Sequence, residues 1–401
     1  MVAGLFATEA ENFDLTLLLP EPSYKDLFGF ERMERVMFQQ SISRVSEARA
    51  TGLGFLIMAA YFAMAALSSA SAGERNVVFV PMGGNNEIAV IDVDTNKVVE
   101  RITGVPAVHG LAKTPDGKLL IAGSFTEVEP GATIPERPAG VSAEDHAAHH
   151  AKSASRPVAK SAVISRVTFI KVKDRSVVRR VDVPGGVHHV AASPNGFFAA
   201  VTHPNQDAVS VIDIRTFTVV ATVKTGAVPN YAAFSQDGAR LYISDSGDNS
   251  VSIVRTANWR VSDRVKVGEA PEHLVVRDDL GKMFVNNVGD GTVSVIDLKH
   301  LAVAKVLKGG EDPHGIDVSE GGRTLFVSAK GANKLIAIDL SSGDRRELTL
   351  APQPYHLAVI KGQGVIYVSS VELPKLWVVD AKTLKLTGTI DVGGKGHQLV
   401  Q

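Results

Sequence analysis

SQDGARLYISDSGDNSVSIV, residues 235–254, holds a tight turn, a strand, a second small-residue turn and another strand. Asp-Gly supplies the positive φ that a hairpin turn needs, and the runs after each turn alternate in hydrophobicity with the period of two expected of half-buried strands. The phrase recurs. TPDGKLLIAG (114–123), SPNGFFAAV (193–201), DDLGKMFVN (278–286), SEGGRTLFVS (319–328) and KGQGVIYVS (361–369) carry the same turn and strand. A third strand follows in EIAVID, AVSVID, TVSVID, KLIAID or KLWVVD, and a fourth in KVVERI, FTVVATV or KLTGTI. Four short strands repeated at about 42 residues mark a β-propeller and not a helical solenoid.

Eight residues before the turn glycine stands His109, His188, Asn230, His273, His314 or His356, and His397 takes a seventh such position. The steps after His188 are 42, 43, 41, 42 and 41 residues, whereas His109 to His188 spans 79. One blade therefore carries a long insertion, residues 127–161, rich in Pro, Ala and Ser and expected to be flexible. At the ends, HQLV (397–400) supplies only a first strand, and NVVFV (76–80) begins with a second strand. Joining them in one composite blade closes the ring and removes two unpaired edges. The expected fold is all-β: a seven-bladed β-propeller over residues 73–401, closed by N- and C-terminal strands sharing one blade. The Asp ending most third strands (Asp92, Asp213, Asp297, Asp339, Asp380) is expected to form an Asx turn and to be structural.

LYISDSGDNSVSIV, MFVNNVGDGTVSVID and VVATVKTGAVPNYAAFSQDG resemble the YVTN-type β-propeller repeat of exported bacterial and archaeal proteins. The resemblance covers residues 76–400 and implies a seven-bladed ring with a central channel. It says little about activity, because one propeller architecture hosts many unrelated functions.

Upstream, the uncharged run GLGFLIMAAYFAMAAL (52–67) follows Arg44 and Arg49 and precedes SSASA (68–72), the layout of a secretory signal peptide. Sixteen apolar residues fall short of the roughly 20 needed for a spanning helix. We expect a signal peptide at 37–72 cleaved after Ala72, a periplasmic or secreted product without a membrane anchor, and a non-native extension at 1–36 arising from a start codon placed too early. With no cysteine among 401 residues there is no disulfide, thiolate nucleophile or iron–sulfur cluster, and any metal must be held by His, Asp, Glu or Met. A net charge of -1 gives no footprint for nucleic acid. The sequence also lacks G-x-S-x-G, P-loop and H-E-x-x-H motifs.

Six of the seven equivalent positions are histidine, where random placement of 12 histidines would put about 0.2. A propeller's first strand is innermost, so these six would ring one mouth of the channel. The ring His109, His188, His273, His314, His356 and His397 is similar to the histidine hub of the copper-binding propellers of nitrous oxide reductase and thiocyanate dehydrogenase. That similarity implies a copper site, although the chain lacks the cysteine-based second copper site of nitrous oxide reductase. Imidazole suits copper, zinc, iron and nickel. Against this, six histidines can descend from one duplicated unit, each bonding a neighbouring blade's backbone.

His203 is the additional candidate ligand, whereas strand alternation is expected to send His189 away from the ring. Glu272, Glu311 and Asp312 are read as solvated loop charges, with a role in orienting imidazoles as the alternative. HAAHH (146–150) in the insertion is a further cluster. The function expected is that of a monomeric periplasmic binding propeller taking a small molecule or a transition metal, copper favoured, at the hub. The alternatives are a copper-dependent oxidoreductase served by a periplasmic redox partner, and a metal-assisted lactonase or lyase. Whether the protein is an enzyme stays open at this level.

Overall fold

A computed structural model describes residues 76–131 and 163–401, all within one compact unit, Arg75–Gln401. The expected extension, signal peptide, residues 132–161 of the insertion and the HAAHH cluster lie outside the described residues. Seven antiparallel sheets follow one another along the chain, each pairing its strands in sequential order. Blade four is representative, with strands Pro229–Phe234, Arg240–Asp245, Ser250–Arg255 and Arg260–Lys266. The innermost strands of the other full blades are Val108–Lys113 (two), Val190–Ala192 (three), Pro271–Arg277 (five), Pro313–Val318 (six) and Pro354–Ile360 (seven).

Blade one is the composite. Its strands Val77–Met82, Glu87–Asp92 and Lys97–Thr103 come from the N-terminal side, and the C-terminal segment supplies the inner edge. Phe79 and Val400 exchange both main-chain hydrogen bonds, at 2.7 and 3.0 Å, and the His397 amide donates to the Pro81 carbonyl at 3.0 Å. This is the closure expected from the sequence.

Core burial lies between blades. Val78, Val80, Met82 and Ile91 of blade one pack against Tyr367, Leu376 and Val378 of blade seven, while Phe79, Ile88 and Val90 pack the opposite way against Leu111, Leu120 and Ile170 of blade two. Each such side chain is worth about 1.5–3 kcal/mol when buried, so closing the ring is driven by the same alternation that forms each strand. The Asp residues ending third strands behave as expected: Asp297 accepts from the Lys299 and His300 amides, and Asp339 from Ser341 and Ser342.

Neighbouring blades are also stitched near the hub by polar side chains of the second strands. Thr202 accepts from the His189 amide and donates to the Asn230 carbonyl of the next blade, both at 2.9 Å. Ser244 takes the Tyr231 amide and donates to the Glu272 carbonyl, and Ser328 takes the Gly315 amide and donates to the Tyr355 carbonyl. Removing such a buried two-way partner leaves polar main chain unsatisfied and costs about 1–3 kcal/mol. Ser328→Ala is therefore expected to lower stability by that amount in urea denaturation, whereas an unchanged midpoint would show that this stitch contributes nothing.

Candidate metal centre at the hub

The hub residues are placed by a repeated backbone irregularity. Ahead of the first strands, Ala107, Val228, Ala270, Asp312 and Gln353 all adopt positive φ, between 42° and 55°. The ladder then skips. Pro271 pairs with Asn287 but Leu274 pairs with Val285, so three steps on one strand face two on the other. Blades two, four, six and seven show the same extra residue. A β-bulge of this kind re-aims side chains, and here it brings two consecutive residues per blade to the hub instead of one.

Aligned on the residues that face Ala122, Val201, Ile243, Val285, Val327 and Val368 of the second strands (Leu111, Val190, Ala232, Leu274, Ile316, Leu357), the hub has two tiers. One tier is His109, His188, Asn230, Glu272, His314, Tyr355 and, by the Phe79–Val400 pairing, His397. The next is Gly110, His189, Tyr231, His273, Gly315, His356 and Gln398. The glycines are required. A Cβ at Gly315 would stand 2.5 Å from the Tyr355 carbonyl oxygen, and one at Gly110 2.9 Å from that of His188.

The six histidines expected to form one ring thus divide, with His109, His188, His314 and His397 in one tier and His273 and His356 in the other. The cause is turn length. In blades five and seven the turn glycine, Gly281 or Gly364, comes seven residues after this aligned residue, against six in blades two, three, four and six. In blade five a 3-10 turn, Asp278–Leu280, takes up the extra residue.

His189 departs from expectation. It turns into the hub, with Nε2 3.1 Å from His273 Nε2 and its ring 4.5 to 5.8 Å from those of His188, His397, His109 and His356. Simple alternation fails there because the bulge interrupts the strand. His203, the additional candidate, lies elsewhere: its Nδ1 meets the Gly186 carbonyl at 3.2 Å and its Nε2 the Ser210 hydroxyl at 2.9 Å, so both nitrogens serve the blade. Glu272 is buried, not solvated, and its carboxylate lies 3.0 Å from His314 Nδ1. Asp312 pairs with Lys330 at 3.0 Å, and Glu311 is exposed.

Hydrogen bonds fix the tautomers. His109 Nδ1 donates to the His188 carbonyl (2.7 Å), His188 Nδ1 to that of Asn230 (3.2 Å) and His273 Nδ1 to that of His314 (2.9 Å). A carbonyl only accepts, so each Nδ1 carries the proton and each Nε2 a lone pair. The backbone bonding expected of a purely structural histidine is therefore present, and it leaves these imidazoles in the form that binds metal. His314 is held through Nδ1 by Glu272, the carboxylate–histidine arrangement that orients metal ligands. His189 Nδ1 faces Gln398 Oε1 at 3.4 Å, an oxygen that already accepts from the Leu111 amide at 3.2 Å, so Nδ1 is again the donor.

With both rings neutral and protonated on Nδ1, two lone pairs, on His189 Nε2 and His273 Nε2, face each other across 3.1 Å. Neutral imidazoles repel in that geometry; a shared proton or a cation resolves it. His356 and His397 repeat the close approach, Nε2 to Nε2 at 3.0 Å. Two imidazole nitrogens about 2.0–2.1 Å from one ion stand about 2.9 Å apart at a right angle and about 3.3 Å apart at the tetrahedral angle. Both observed separations fit ligands of a common ion. The donor nitrogens of His273, His314 and His356, all buried, lie within 4.8 Å of one another.

Burial and then the neighbouring imidazoles hold His356 well below the ordinary histidine pKa, which keeps it neutral. Burial likewise raises Tyr231 to about 12, beside His189 and His273, and raises Tyr355, which stacks on His314 at 4.0 Å. A cavity of about 490 Å³ opens against the cluster from blades seven, one and two, with His109, Tyr355 and His397 among its lining.

Residues 227–380 match a family model described as a YNCE-like beta-propeller. The fold is a seven-bladed propeller, and the stretch from its fourth to its seventh blade is similar to that family. Solved structures similar to this propeller include Kuenenia stuttgartiensis hydrazine synthase, at 18% identity over 69% of this chain and 77% of that one, with a TM-score of 0.55. Dihydro-heme d1 dehydrogenase NirN aligns at 15% identity over 81% of this chain and 77% of its own, TM-score 0.54. A Bacteroides fragilis protein provisionally assigned as a 6-phosphogluconolactonase aligns at 12% identity over 82% and 98%, TM-score 0.64. At these identities the likeness is one of fold. No curated protein matches the sequence.

Burial holds His203 down to a pKa of about 4, from the usual 6.5. Between those values the unfolded chain takes up a proton that the folded propeller refuses, so this residue makes stability fall as pH drops from 6.5 towards 4. Asp245 and Asp317, raised by burial to about 6, act in the opposite sense between about 6 and 3.8. His203→Gln is expected to flatten the acid-side loss of stability in denaturation series, and an unchanged slope would remove His203 as its source.

Proposed function

We propose that the protein is an exported propeller that binds a transition-metal ion, copper foremost, at the two-tier histidine hub. The observation that carries this reading is the opposed pair of Nε2 lone pairs on His189 and His273, a contact that a cation turns from repulsive to bonding. The number of converging nitrogens favours a metal over a shared proton, because a proton is held between two of them whereas an ion takes three or four at once. The donor set consists of neutral nitrogens with one positioning carboxylate, which suits Cu(II), Zn(II) or Ni(II), and the affinity order for such sites places Cu(II) highest. His273, His314 and His356 would hold the ion, with His189 and His397 at their Nε2 atoms. Export rests on the leader-like segment at 37–72.

The cavity at His109 and His397 favours, as a second reading, a copper-dependent oxidoreductase working with a separate redox partner. A bound ion would supply Lewis acidity or electron transfer there; the chain's own residues fix imidazole orientation and exclude water from the tier below. A lactonase or lyase using a hard divalent cation is served less well, since such cations prefer several oxygen ligands.

Protein dialysed against Cu(II) or Zn(II) is expected to retain metal in stoichiometric amount by elemental analysis. His273→Ala should abolish tight retention, and Glu272→Gln should weaken it by about 10–100-fold while the fold persists. Acid should release the metal, because protonated imidazole cannot coordinate. With His356 held well below the ordinary range, release should need a lower pH than for a solvent-exposed histidine chelate. Failure to retain any metal, with His273→Ala indistinguishable from the parent, would leave the hub as structure alone.

A further inference from the structure

The cavity beside the hub has a composition that selects its occupant. Its buried polar and aromatic lining residues are His109, Tyr355, Ser370 and His397, with Phe125 and Val371 beside them. The charged lining residues are Glu372 and Lys395, of opposite sign and both exposed, so they stand at the solvent side. No buried ion among the described residues lines the cavity to compensate a charged ligand, and a desolvated charge without a partner is expensive. The remaining polar lining groups, the His109 and His397 imidazoles, the Tyr355 phenol, the Ser370 hydroxyl and the Asn85 amide, carry no fixed charge and suit an uncharged ligand with a nitrogen or oxygen donor. About 490 Å³ lies within the roughly 300–1,000 Å³ usual for small-molecule sites. His109 and His397 belong at once to this lining and to the histidine cluster, their rings 3.6 Å apart by centroid.

We propose that this cavity is the ligand chamber of the hub, and that it takes a small uncharged organic molecule of one or two rings, apolar over most of its surface, with one nitrogen or oxygen donor directed at His109 and His397. The donor's approach to a bound ion rests on the metal reading above; the chamber's preference for uncharged ligands does not. Phe125, 5.2 Å from His109 by ring centroid, offers a flat aromatic wall to such a ring.

The test uses 4-phenylimidazole as the uncharged probe, with benzoate and benzylamine as anionic and cationic controls of similar size. Titration calorimetry is run on metal-free and zinc-loaded full-length protein. Expected is binding of 4-phenylimidazole at least tenfold tighter than either control in the metal-free form, where the preference for an uncharged ligand is judged, and at least a tenfold loss in Val371→Trp and in Glu372→Trp with zinc content unchanged. Glu372 is exposed, so its variant keeps the test valid should Val371→Trp fail to fold. Equal or tighter binding of a charged control to the metal-free form overturns the proposal, as does unchanged affinity in a tryptophan variant that melts like the parent. Zinc retained without 4-phenylimidazole binding overturns the chamber and leaves the metal reading intact. Probe binding that the tryptophan variants abolish, in protein that holds no zinc, does the reverse.

Discussion

A main-chain carbonyl at the mouth of the inner strand in blades three to seven, accepting from the blade before it, is the contact on which the hub is built. The Asn230 carbonyl takes both the Thr202 hydroxyl and His188 Nδ1, and the His314 carbonyl takes both the Asn286 amide and His273 Nδ1. These carbonyls become available because the bulge withdraws one residue from the ladder. Every buried acceptor needs a donor, and the donors recruited here are the side chains that also face the channel. Ring closure and imidazole orientation are therefore one set of bonds. A histidine that serves as a staple through Nδ1 is, by the same bond, left with an Nε2 lone pair pointing inward.

This dissolves the opposition between structural and metal-binding histidine that the sequence poses. In His109, His188 and His273 the backbone bond determines the tautomer, and the tautomer is the one a metal requires. His203 shows the contrast. It spends both nitrogens on Gly186 and Ser210 within its own blade and has nothing left to offer.

The fold was legible because its signals are local and repeated: turn glycines, alternating strands and half-strands at either end that complete one another. The hub was legible in outline only. Counting back from Gly281 and Gly364 placed His273 and His356 one position out of register, since turn length is not visible in a motif that merely ends in glycine. His189 was lost for a related reason: a bulge shows itself in pairing partners, Pro271 with Asn287 and then Leu274 with Val285, and a single strand of sequence contains no pairing. The adjacent pair His188–His189, the first already at a ring position, is the signal in the sequence that could have raised the question. The burial of Glu272 was likewise hidden, because it depends on the neighbouring blade that brings His314 against it.

The composite blade has a consequence in time as well as in space. His397 reaches the hub only when the last strand pairs with Phe79, and its Nε2 then lies 3.0 Å from that of His356. A ribosome makes this segment after every other strand of the ring. While blades two to seven condense, the cluster is short of one imidazole and the channel is open on the side where Val400 will dock. The protein thus completes its hub at the same moment that it finishes its circle, and a nascent chain cannot present the whole site ahead of time.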